Sequence, residues 1–89
     1  MPKFAAQFRY LDKERRDEVR PRHREYLKGL FEQGKIVMSG PWADDSGAMA
    51  VFEVADEAEA RELLAADPYN EAGVVGDLQV REWQVIFPP

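Results

Sequence analysis

The chain has 89 residues, 17 of them acidic and 12 basic, for a formal net charge of −5; that length fits one domain spanning 1–89. With no cysteine and one histidine, disulfides, thiolate nucleophiles, Cys-ligated zinc and a multi-His metal centre within one chain are excluded. The acidic balance without a Lys/Arg cluster argues against nucleic acid. No apolar run approaches the ~20 residues of a membrane span and the N-terminus lacks a signal-peptide build, so a cytoplasmic protein with no membrane partner is expected.

Lys3 to Tyr10 alternates, with Phe4, Ala6, Phe8 and Tyr10 on one face and Lys3, Ala5, Gln7 and Arg9 on the other, which reads as a strand. Leu11 to Arg20 is charge-dense and reads as a loop or short solvated helical turn, with Asp12–Glu18 a wet surface. Pro21 suits the first turn of a helix. The helix placed at Pro21–Gln33 carries His23, Tyr26, Leu27, Leu30 and Phe31 as one stripe, and Gly34 stands where a C-terminal cap is expected. Lys35 to Ser39 supplies a short strand, stopped by Gly40–Pro41. Trp42–Gly47 has turn chemistry, and Ala48–Val54 is the return strand of a hairpin. Asp56 caps a second helix over Glu57–Ala66, with Ala60, Leu63 and Leu64 inward. Asp67–Pro68 interrupts that helix, because a residue before proline is pushed out of helical geometry. Leu78 to Phe87 reads as the last strand, before Pro88–Pro89.

The order strand, helix, strand, strand, helix, strand is the α+β ferredoxin-like βαββαβ pattern, an antiparallel sheet with both helices on one face. The uncovered face should then be polar. Instead Met49 and Val51 oppose Ala48, Ala50, Phe52 and Val54, and Trp83, Val85 and Phe87 oppose Leu78, Val80 and Ile86. Two apolar faces imply a second copy packed sheet to sheet, that is, a homodimer.

His23 lies on the inward stripe of the first helix, and Asp67 extends the inward stripe of the second. A carboxylate held against an imidazole nitrogen fixes its tautomer and raises its basicity, as a general base requires. The structural alternatives are a satisfied core histidine and an Asp67–Pro68 pair that caps a short turn through Ala72. Arg20 either holds an anionic substrate, pairs with Asp67 or lies on the surface. Ser39, Gly40 and Pro41 suit a pocket wall or a plain strand-ending turn. Tyr10, Tyr26, Tyr69 and Trp83 either line an aromatic pocket or pack the core. A metal role ranks last, since one His and one Asp need further carboxylates.

Arg20-Pro21-Arg22-His23, Tyr26-Leu27, Gly34, Ser39-Gly40-Pro41 and Asp67-Pro68-Tyr69 with Ala72-Gly73 closely resemble the YCII-related (YciI-like) family, over roughly Phe4 to Phe87. The resemblance implies a ferredoxin-like dimer of the dimeric α+β barrel group and a His–Asp dyad that maps onto His23 and Asp67. Family members with an assigned reaction act on ring compounds, notably a dehydrochlorinase of a chlorinated hydroxyhydroquinone, and muconolactone isomerase-like proteins share the wider fold. The Trp42–Gly47 segment varies in the family, so substrate identity does not transfer. The resulting expectation is a small enzyme without a cofactor or metal. His23 and Asp67 would do acid–base work in an elimination, isomerisation or hydrolysis of a small polar or cyclic molecule. Arg20, Ser39, Gly40, Pro41 and Tyr69 would hold that substrate. A non-catalytic dimeric module that binds a small ligand or a partner is the alternative.

Overall fold

A computed structural model describes residues 1–89. Its elements run β1 (Lys3–Tyr10), α1 (Lys13–Glu32), β2 (Ile36–Pro41), β3 (Gly47–Glu53), α2 (Glu57–Ala65), α3 (Pro68–Glu71) and β4 (Val75–Trp83). All strand pairs are antiparallel, in the order β2-β3-β1-β4, which is the ferredoxin-like arrangement. The helix-covered face is set by the period-two pattern of β1. Phe4 stands opposite Phe52, Ala6 opposite Ala50 and Val80, and Phe8 opposite Ala48. Leu30 of α1 and Ala60 and Leu64 of α2 close over this face to form the main core. A second cluster, Phe8, Tyr10, Val19, Ala48, Tyr69 and Val74, lies beneath the N-terminal half of α1. Phe52 and Val19 are each 1% exposed, and burial of such side chains contributes about 1.5–3 kcal/mol apiece.

The largest departure from the sequence reading is the start of α1. The charge-dense run is not a loop: Asp12 caps the helix by accepting the Arg15 N–H at 3.0 Å, and Lys13–Arg20 forms its first two turns. The inward stripe of His23, Leu27 and Leu30 continues backwards through Val19 and Arg16, at spacings of three or four residues. Burial of Val19 and Arg16 therefore outweighs the preference of proline for a first turn. Pro21 lies inside the helix on its exposed side, where water serves the Asp17 carbonyl that loses its donor. Phe31 is not part of the stripe. It sits about 80° round the helix from His23 at 3.6 residues per turn, and it is 62% exposed. Gly34 follows the cap residue Gln33 with φ of 76°, the left-handed position a glycine serves at a helix end.

Three strand boundaries also differ. β2 does not stop at Gly40–Pro41 but runs through them, with Pro41 paired to Ala48; an edge strand tolerates a residue without a ladder donor. β3 begins at Gly47, where a Cβ would collide with the Phe8 carbonyl oxygen. β4 begins at Val75 and ends at Trp83, so Val85, Ile86 and Phe87 lie beyond the sheet, the last two exposed. An extra residue on β4 opposite Gln7–Arg9 forms a bulge, with Asp77 at φ of 51° and its carboxylate 2.8 Å from Arg9 Nε. The uncovered face is thus more mixed than its sequence implies. Ala5, Val51, Met38 and Met49 share it with Trp83, a Gln7–Gln79 hydrogen bond of 3.0 Å and a Lys3–Glu53 ion pair of 3.8 Å. Met38 and Trp83 remain 64% and 47% exposed there. No helix is long and apolar enough to cross a membrane.

Candidate functional site

The Asp67-Pro68-Tyr69 sequence builds the centre of the site. Asp67 is the N-cap of α3, with Oδ1 accepting the Tyr69 N–H at 2.8 Å, and Pro68 fills the first turn. That single turn lays the Tyr69 ring flat against the imidazole of His23, with centroids 3.6 Å apart and planes 6° apart. His23 arrives from α1 and directs Nδ1 at both oxygens of Asp67, at 2.8 and 3.0 Å. Asp67 is 6% exposed. With Asp67 as the carboxylate, Nδ1 donates, and in the neutral imidazole the unprotonated nitrogen is Nε2. The capping and the imidazole contact coexist because one carboxylate has four lone-pair directions.

A cavity of about 570 Å³ opens in front of this pair. Its floor is the helix-covered side of the sheet, with Phe8, Tyr10, Ala48 and Ala50. One wall is the α1 stripe, from Arg16 through Arg20, His23 and Arg24 to Leu27; Ser39, Gly40, Pro41 and Asp45 form the rim, and Asp67 and Tyr69 the end. The seven residues expected to act on or hold a substrate, His23, Asp67, Arg20, Ser39, Gly40, Pro41 and Tyr69, therefore meet at one cavity. Arg20 does not pair with Asp67; its ion pair is to Asp17, at 3.1 Å. Of the four aromatic candidates, Tyr10 and Tyr69 line the cavity. Tyr26 instead donates its hydroxyl to the Leu63 carbonyl at 2.6 Å, and burial pushes its pKa above the ordinary tyrosine value. Trp83 lies on the opposite face of the sheet, in register with Lys3.

Sequence reasoning missed Arg16 and Asp45. Arg16 is 4% exposed, although it sits in the charge-dense Asp12–Glu18 run. Its Nη1 donates to Asp45 at 2.7 Å, its Nε and Nη2 donate to Asp17 at 3.0 and 2.8 Å, and its guanidinium lies 4.4 Å from the Tyr10 ring centroid. The Arg16 contact holds the exposed Asp45 carboxyl below the usual carboxylate range. It also ties the Trp42–Gly47 hairpin, whose Asp45 has φ of 61°, to the first turn of α1. The signal that would have found Arg16 was Asp12, a better cap than any residue just before Pro21. Burial raises the pKa of Tyr10, as does neighbouring Tyr69, while Arg16 opposes them. No group of three or more His, Asp or Glu side chains converges in a metal-holding arrangement.

The sequence profile of the family described as YCII-related domain matches residues 3–84. Protein YciI of Escherichia coli O6:H1 (strain CFT073) is 33% identical over 86 residues, covering 83% of this chain and 86% of its own. The uncharacterized protein YjpA of Bacillus subtilis (strain 168) is 33% identical over 63 residues, covering 71% and 73%. Among solved structures, the 5-chloro-2-hydroxyhydroquinone dehydrochlorinase TftG of Burkholderia phenoliruptrix AC1100, in complex with 2,5-dihydroxybenzoquinone, superposes with a TM-score of 0.78. It is 22% identical, and the match covers 92% of this chain and 93% of that one. An antibiotic biosynthesis monooxygenase superposes with a TM-score of 0.64 at 17% identity, covering 97% and 99%. At these identities the two structures establish the shared fold.

Proposed function

The chain belongs to the YCII-related domain family, and from that premise we propose that it is a small enzyme that moves a proton on a polar or cyclic substrate without a cofactor. The observation that carries the reading is the His23–Asp67 contact at the wall of a cavity large enough for a single ring compound. In this reading Nε2 of His23 takes a proton from a substrate carbon while Asp67 keeps Nδ1–H in place and stabilises the imidazolium. Return of that proton to a different atom completes an isomerisation; departure of a leaving group from the neighbouring carbon completes an elimination. Arg20 and the Ser39–Gly40–Pro41 rim hold the substrate. A positioned base contributes typically ~10²–10⁴-fold, which suits a substrate whose C–H bond is already acidified. The likeness to a dehydrochlorinase supports a ring compound as that substrate.

The experiment is deuterium exchange followed by NMR, with a panel of ring ketones and unsaturated lactones incubated with the protein in D₂O. His23→Ala should lower the enzyme-dependent exchange about 10²-fold or more, and Asp67→Asn should lower it too. Exchange that is unchanged in both variants would remove the proposal. The non-catalytic reading is favoured by one observation, the cap that Asp67 provides to α3. It predicts that Asp67→Asn lowers stability and alters no activity.

For assembly, we infer that a second copy covers the outer sheet face around Val51, Met38 and Trp83, giving a homodimer. Light scattering should return about twice the 10.2 kDa chain mass, and Met38→Glu should shift it toward the monomer. A single-chain mass for the unaltered protein would refute this.

A further inference from the structure

Tyr26 is the one tyrosine whose hydroxyl donates a hydrogen bond within the protein. Tyr10 and Tyr69 are 8% and 3% exposed and both line the cavity, yet their hydroxyl protons have no acceptor. The charged group closest to Tyr10 in the core, Arg16, is itself a donor. No polar side-chain atom that is sealed from solvent lacks a partner, so the two hydroxyls reach open space, and both residues line the cavity. Their rings meet edge to face at 6.1 Å, and Tyr69 in turn stacks on His23. Arg16, Tyr10, Tyr69 and His23 therefore form one chain of contacts in the cavity lining. Hydroxyls that stay open to solvent keep their protons free for a ligand that enters the cavity.

We propose that the Tyr10 and Tyr69 hydroxyls form an oxyanion site, taking the carbonyl oxygen of a substrate whose adjacent carbon gives its proton to His23. The inference rests on the acid–base reading of the same cavity and adds the substrate class, a ring carbonyl or phenolic compound with an acidic C–H beside the oxygen. In the step, the C–H bond breaks and the proton passes to Nε2. The electron pair forms a C=C bond, and the carbonyl oxygen becomes an enolate that accepts from the two hydroxyls. Reprotonation at another carbon returns the proton from Nε2, so every atom and charge is accounted for. Preorganised donors of this kind act where charge develops, in a site that excludes bulk water. Burial holds Tyr10 above the ordinary tyrosine value, so it stays a neutral donor at neutral pH.

The test uses 4-nitrophenol, whose phenolate mimics the enolate and whose ionisation is read by absorbance. Bound to the intact protein, the probe should ionise at a lower pH than in solution. Tyr10→Phe and Tyr69→Phe keep both rings and their packing, and each should cost about tenfold or more in phenolate affinity, while Tyr26→Phe leaves it unchanged. Incorporation of 3-fluorotyrosine, a stronger donor of the same shape, should tighten phenolate binding and guards against a folding defect in either variant. Absence of phenolate binding by the intact protein, or binding indifferent to both Phe variants, overturns the proposal. The two readings fail separately. Phenolate binding that needs the hydroxyls while exchange ignores His23→Ala keeps the donor pair and removes the acid–base reading. Exchange that needs His23 while phenolate binding ignores both tyrosines does the reverse.

Discussion

The coupling between His23 and Asp67 is measurable as stability, independently of any substrate. Asp67→Asn keeps an oxygen for the Tyr69 N–H but replaces a charged hydrogen bond to His23 with a neutral one. Charged bonds contribute about 1.5–3 kcal/mol and neutral ones about 0.5–1.5, so the substitution should cost about 1 kcal/mol. His23→Phe keeps a flat ring against Tyr69 and strands a carboxylate that is 6% exposed, at about 2–3 kcal/mol or more. The double variant strands no charge, so its loss should fall short of the sum by about 1–2 kcal/mol. Urea unfolding of the four proteins gives this coupling directly. Asp67→Ala should lose about 1 kcal/mol beyond Asp67→Asn, because the cap goes as well. At this chain length each kcal/mol moves Tm by about 4–8 °C, well within resolution. Additivity within about 0.5 kcal/mol would refute the idea that the two side chains act as one unit.

Gly47→Ala places a Cβ against the Phe8 carbonyl at the β1–β3 pairing; it should destabilise by about 2–3 kcal/mol, within the range of overpacking costs, as read by thermal unfolding. Arg16 holds the Asp45 pKa down, so that contact stabilises the fold above the unfolded carboxylate value of 3.8 and is lost as pH falls through the depressed folded value. Acid unfolding of Asp45→Asn should accordingly show a weaker loss of stability below that value than the parent. Burial raises Tyr10 and Tyr26 above their ordinary 10.0; their contribution is complete below that pH and disappears as pH rises through the raised values. Tyr26→Phe should therefore lose about 1 kcal/mol at neutral pH, with its bond to Leu63. It should also show a smaller further loss above pH 10.

Much of the molecule is written locally. The alternation of Lys3–Tyr10 is enough to choose which face of β1 is buried, because side chains on a strand repeat every two residues. Asp56 and Asp67 each fix a helix start through their own side chains, and the left-handed Gly34 fixes a helix end. Those signals span four residues or fewer, so no tertiary partner is needed to read them. The family resemblance maps a His–Asp pair onto His23 and Asp67, 44 residues apart, and the fold brings them to 2.8 Å. Where α1 begins was decided elsewhere. Pro21 is the strongest local punctuation in the segment, yet Arg16 and Val19 are buried against Tyr10 and the second core cluster, whose other members lie as far away in sequence as Tyr69 and Val74. A charged side chain reads as solvent-facing until its partners are known, and the partner that most affects Arg16 is Asp45, 29 residues on. The same holds for the two cavity tyrosines. Composition shows that they are large and amphipathic, but whether a hydroxyl has an acceptor, as Tyr26 has, depends on which backbone carbonyl the fold brings within about 3 Å.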